Sequence, residues 1–264
     1  ILKKEWDWKG LVGSDWASVQ ELTDHGFAAT DSEAASLALE AGCDMEMVSK
    51  TYDDYLIDLV QQHPEYLPMI DDATKRILGV KYDLGLFEDP FRYSDLQREK
   101  EIVRNNDHFK HAREIAKRSI VLLENRNRTL PLDPNLRKIA VIGPLAEDRE
   151  TALGTWSAQG QQSDVTTLLQ GLQLAVGEKT KVLYAAGSEI NSTDKSGFNK
   201  ARALAKQSDA IIAVVGEHAL MSGEALSRSD IGLPGVQLEL LKMLKDTGKP
   251  VIVVLMNGRP IAEP

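Results

Sequence analysis

Two stretches carry residue types that could do chemistry. The first is Gly10-Leu11-Val12-Gly13-Ser14-Asp15-Trp16, a short apolar run that ends in a carboxylate beside an indole. In a parallel β/α protein, side chains at the C-terminal end of a strand leave the core and meet ligand. An acid there can attack or stabilise an anomeric carbon, and an indole can stack on a sugar face. The plain structural alternative is an Asp capping the next helix and a Trp anchoring the core; on this segment alone it is favoured. The second stretch, Gly216 to Pro234, follows a Val- and Ile-rich run and holds three acids (Glu217, Glu224, Asp230), His218 and Arg228. A long loop at that edge of a parallel strand is a usual place for function. By composition alone it is a solvated loop with incidental charges.

A resemblance changes both readings. Ile1-Leu2-Lys3-Lys4-Glu5, four spacer residues, and then Gly10 to Ser18 resemble in register the nucleophile signature of glycoside hydrolase family 3. One position departs: Gly13 stands where the family usually has a bulky aliphatic residue, and glycine in a strand marks a bulge or a close backbone approach. Gly223-Glu224 before Ser227-Arg228-Ser229-Asp230, then Leu233-Pro234 and Gln237, resemble the acid/base loop of the same family. Arg118 to Asn125, Gly154-Thr155-Trp156-Ser157 and Lys249 to Pro260 are similar to its two-domain members, periplasmic β-glucosidases among them. The likeness runs over essentially all of the chain.

The resemblance implies a retaining, exo-acting β-glucosidase-like hydrolase. Asp15 would be the ionised nucleophile, and Glu224 the acid that protonates the leaving oxygen and then activates water. A double displacement needs the two carboxyls roughly 5–5.5 Å apart, which would put the site in a cleft between two domains. Trp16 would border the sugar, Met45 and Met47 would floor the pocket, and Trp156 would face it. For the methionines and Trp156, ordinary packing is the stronger expectation from residue type alone. Glu217 would order the acid/base loop, with Arg228 as its partner. The resemblance calls for no cofactor and no metal.

The elements that must position these residues follow from pattern. Leu11–Ser14 reads as a short buried strand, Thr30-Asp31-Ser32-Glu33 as a capping box opening a helix that Gly42 ends, and Cys43–Met47 as a second strand. Residues 51 to 84 hold two amphipathic helices, the second ended by Gly85 and Pro90. Residues 86 to 98 read as a linker. The expected organisation is 1–98 as the end of a (β/α)8 barrel and 99–264 as a truncated αβα sandwich with a mostly parallel sheet. In the second part, strands at 138–142, 181–185, 210–215 and 251–255 alternate with helices near 168–176, 200–207 and 235–246. Ile142-Gly143-Pro144 after a strand lacks the spaced glycines of a dinucleotide fingerprint, and there is no P-loop.

The bulk numbers bound the rest. The 264 residues, 42% apolar and 27% charged, describe a soluble globular protein of one or two domains. A formal net charge of −9 argues against a nucleic-acid surface. No apolar run reaches the roughly 20 residues of a membrane span. Cys43 is the single cysteine, read as a small core residue, and no intrachain disulfide can form. Neither end reads as a natural terminus, so a piece of a longer, periplasmic or secreted protein is expected, inactive by itself, with any signal peptide upstream. The implied partner is an oligosaccharide or glycoside substrate; a homodimer is left open. Asn127-Arg128-Thr129 and Asn191-Ser192-Thr193 fit the glycosylation sequon. A β-xylosidase stays open, because the residues that read the C6 group of the sugar would lie upstream. A β-N-acetylhexosaminidase is disfavoured by the Glu224 loop, and a non-catalytic sugar-binding module by the presence of both acids.

Overall fold

In the computed structural model, which describes residues 1–262, the chain divides into two compact units, Ile1–Ile120 and Val121–Pro264. The first holds β1 (Gly13–Trp16), α1 (Glu21–Asp24), α2 (Asp31–Ala41), β2 (Met45–Met47), α3 (Thr51–Gln62), α4 (Leu67–Asp83), α5 (Leu96–Ile102) and α6 (Asn106–Ser119). The start of α2 is set as the sequence suggests. Thr30 accepts from Glu33 N, while the Glu33 carboxylate reaches back one residue further than a capping box would, to Ala29 N at 2.8 Å. Gly42 closes the helix in the left-handed region at φ 89°. Ala34, Ala35, Ala38 and Leu39 form its buried face.

β1 and β2 pair in parallel, with Gly13 opposite Met45 and Trp16 opposite Met47. Three steps along β1 therefore match two along β2, which is a bulge. The strand begins two residues later than its apolar run suggests, so Asp15 lies within the strand and not beyond it. The paired segment is displaced because Val12 O already accepts from the Asp44 and Met45 amides, ahead of the ladder proper.

The second unit is a four-stranded, all-parallel sheet in the order β4 (Lys181–Ala185), β3 (Lys138–Ile142), β5 (Ala210–Gly216), β6 (Val251–Met256). Between the strands run α7 (Leu168–Val176), α8 (Phe198–Lys206) and α9 (Gln237–Lys245). Alternate residues of each strand enter different cores. Ala140, Ile142, Ile211 and Ala213 pack with Ala201 and Ala205 of α8 and Leu240 and Leu244 of α9. Ile139, Val141, Ile212 and Val214 pack with Leu169 and its neighbours on α7. All seven residues of β5 are buried, the signature of a strand covered on both faces. The chain steps from β3 to β4 in one direction, and from β5 to β6 in the other. The order therefore reverses between β3 and β5, where such sheets open a crevice at their carboxyl edge.

Candidate functional site

Asp15 is presented by a strand end locked by one backbone hydrogen bond and one to the Ser14 hydroxyl. Ala17 N donates to Met47 O at 2.9 Å, and Met47 N donates to Ser14 Oγ at 2.8 Å, so β1 and β2 are stitched on either side of the acid. The Asp15 side chain is exposed, and its Oδ1 accepts from Trp16 N at 2.7 Å. Ala17, immediately after the strand, has φ 55°, a left-handed turn that sends the chain off the edge. Gly13 lies where the register shifts, and close approach does not require it. A Cβ there would meet Met45 Cε at 3.5 Å, ordinary contact. Trp16, Met45 and Met47 are all exposed at this edge, Trp16 to 66%.

Beneath them lies an acid that pattern reading passed over. Asp44 is only 4% exposed and is surrounded by donors. Arg76 Nε and Nη2 donate to Oδ1 at 2.9 and 2.7 Å; Lys3 Nζ at 3.1 Å and Val12 N at 2.9 Å donate to Oδ2. Burial pushes its carboxyl up, but the hydrogen bonds from Arg76, Val12 and Lys3 outweigh burial and hold it below the ordinary value of 3.8. The visible hint was that Asp44 and Glu46 alternate with Cys43, Met45 and Met47 in the second strand. Cys43 is only partly buried there, and burial raises its thiol pKa.

In the second unit, the loop after β5 is organised around Glu217, the first residue past the strand and 1% exposed. Its amide donates to Met256 O at 2.9 Å. Its Oε1 takes Arg228 Nη1 at 2.5 Å, the partner expected from sequence, and Arg259 Nε stands 3.5 Å away. Glu217 Oε2 has no hydrogen-bond partner in the protein. Gln237, fully buried, clips the end of β5: its amide donates to Gly216 O and Ile190 O, and its oxygen accepts from Gly216 N, all within 2.8–2.9 Å. Gly216 is required here. It has φ 149°, and a Cβ would fall 1.9 Å from Met256 O.

Glu224 is exposed at the tip of a tight turn closed by Leu226 N donating to Gly223 O at 3.2 Å. The turn uses positive φ at Gly223 (147°) and Ala225 (57°). The Gly154–Ser157 loop is attached to the same segment: Thr155 Oγ1 lies 2.7 Å from Ala219 O and 2.6 Å from Ser222 O. Trp156, next to that anchor, is 74% exposed, so the core role its type suggested is overturned. A crevice of about 670 Å³ opens at the carboxyl edge of the sheet, lined by Pro144, Ser188, Asn191, His218 and Leu220 among others; Glu224 is not among its lining residues. His218 Nδ1 accepts from Leu220 N at 3.2 Å, leaving Nε2 towards Glu150 at 3.7 Å.

Each unit thus offers one exposed acid at a sheet's carboxyl edge, above a buried acid held by basic side chains. Comparison with known proteins matches this division. Residues 1–80 match the glycosyl hydrolase family 3 N-terminal domain and residues 120–264 the glycosyl hydrolase family 3 C-terminal domain. A periplasmic beta-glucosidase of Salmonella typhimurium is 40% identical over 99% of the chain and 37% of its own length. A beta-xylosidase of Formosa agariphila is 39% identical over 99% of the chain and 38% of its length. Among solved structures, a beta-glucosidase from Listeria innocua superposes with a TM-score of 0.84 at 35% identity, covering 99% of this chain and 35% of that one. The chain therefore spans less than two fifths of the length of these relatives.

Proposed function

On the premise that this chain belongs to glycosyl hydrolase family 3, we propose that it carries the two catalytic carboxylates of a retaining, exo-acting β-glycosidase. Asp15 attacks the anomeric carbon and forms a glycosyl ester. Glu224 gives its proton to the departing oxygen, then takes one from the water that hydrolyses the ester. In this reading the first unit is the closing part of a (β/α)8 barrel and the second an αβα sandwich. Trp16, Met45 and Trp156 line the sugar site, and the substrate is an oligosaccharide or glycoside with a β-linked terminal glucose. A periplasmic location is supported by the name of the Salmonella relative.

The observation that carries the reading is the exposure of Asp15 and Glu224 at the sheet edges of their units, at the positions where the family signatures put them. A specific observation also favours β-xylosidase as a second reading: the Formosa enzyme is 39% identical to this chain against 40% for the Salmonella one, and an exo-β-xylosidase structure superposes with a TM-score of 0.81. A panel of nitrophenyl β-glycosides tested on the intact protein separates the two by the sugar turned over fastest. Glu224→Ala should lower kcat/KM for alkyl glycosides by about 10²- to 10⁴-fold while sparing dinitrophenyl glycosides, whose leaving group needs no proton. Equal losses on both would remove Glu224 from the acid's role.

A further inference from the structure

The turn that carries Glu224 is gripped from outside the loop by a side chain to which no role has yet been given. Arg259, three residues beyond β6, sends Nη2 to Met221 O and, at 3.3 Å, to Leu226 O. These carbonyls stand on the two sides of the Gly223–Leu226 turn, so one guanidinium nitrogen pinches its mouth. The guanidinium faces Glu217 as an ion pair, with Nε 3.5 Å from the carboxylate and without a hydrogen bond of its own, and is about a fifth exposed. Thr155 holds the preceding segment through Ala219 O and Ser222 O. The turn contains two positive-φ residues and packs no side chain into either core cluster. Burial therefore does not hold it, and these hydrogen bonds are what do.

We propose that Arg259, anchored on Glu217 and assisted by Thr155, is a positioning residue that fixes where Glu224 delivers its proton. The proposal rests on the reading of Glu224 as the acid/base. A planar, five-donor guanidinium can hold two carbonyls and face a carboxylate at once, and a lysine ammonium lacks that fixed fork. An acid displaced by about 1 Å loses on the order of 10²-fold in rate. That loss falls on bonds whose cleavage needs the proton and spares those that do not.

The test compares Arg259→Ala, Arg259→Lys, Thr155→Val and Glu224→Ala in the intact protein. The readouts are kcat/KM on an alkyl and a dinitrophenyl β-glycoside, with thermal unfolding and amide exchange of residues 219–228 alongside. Arg259→Ala should lower the alkyl-to-dinitrophenyl ratio by about 10- to 100-fold. Arg259→Lys and Thr155→Val should each give a smaller shift of the same sign. Exchange should rise in the loop while the sheet stays protected. If Arg259→Ala fails to fold, the Lys and Val variants carry the same ratio test. A wild-type ratio in the variants that fold, with Glu224→Ala showing its own leaving-group signature, overturns the positioning role alone. A wild-type ratio in Glu224→Ala overturns the acid assignment and this proposal with it.

Discussion

The β1–β2 edge and the loop after β5 solve the same problem differently. Each displays an exposed acid above a buried one. At the first edge, Asp15 is placed by a strand tied to its neighbour through the Ala17 amide and the Ser14 hydroxyl, and the buried Asp44 has four donors from three residues. At the second, Glu224 rides on a turn, and the buried Glu217 has two arginines crowding one oxygen while the other oxygen has no protein partner. On the proposed roles, a nucleophile that must hit one carbon sits on a strand end, and an acid that must first give and then recover a proton sits on a loop whose position rests on side chains. The lesson is that placement by backbone is robust to substitution around it, and placement by a charged clamp is sensitive.

The largest way to sharpen this contrast is to remove the strand-borne acid. Asp15→Ala in the intact protein should reduce turnover by on the order of 10⁴- to 10⁶-fold on activated and unactivated glycosides alike, because no leaving group replaces a nucleophile. A loss that depends on the leaving group would exchange the roles of the two acids.

Next comes the support beneath the strand. Asp44→Ala leaves Arg76 and Lys3 facing no carboxylate and Val12 N without its acceptor, and should destabilise the protein by about 3 kcal/mol in urea unfolding. Because the folded carboxyl lies below its ordinary value of 3.8, its contribution is fully present above that pH and is lost as pH falls through the lower, folded value. Asp44→Asn should therefore flatten the stability curve in strong acid and leave its shape near neutrality unchanged. An identical acid limb in wild type and variant would contradict this.

The smallest effect tests the bulge. Gly13→Ala meets only Met45 Cε at 3.5 Å and requires no unusual φ. Removing a strand glycine should be neutral or stabilising by about 0.5–1 kcal/mol. A loss of activity without loss of stability would show that the bulge sets the aim of Asp15.

Much of the scaffold was readable from local pattern. The apolar runs of β3 to β6, the helix near residues 168–176 and the Gly42 stop of α2 depend on near neighbours, and they lie where local pattern puts them. The start of β1 does not, because its register is decided by hydrogen bonds from residues some thirty positions away. For a similar reason residue type alone puts Trp156 in the core, whereas the family likeness puts it facing the sugar. An indole's type suggests burial, and only the Thr155 anchor, 64 to 67 residues from its acceptors, reveals a loop held out at the surface.

The chain's residues alone determined the parallel α/β character, the two acid-bearing stretches, the family likeness and the Glu217–Arg228 pairing, because each is written in short motifs. The folded structure decided what lies beneath the acids: Arg76 and Lys3 on Asp44, Arg259 on Glu217, Gln237 on the end of β5. Buried charge draws its partners from wherever the backbone brings them, and residues 3, 44 and 76, or 217 and 259, become neighbours only when the sheets and helices have packed.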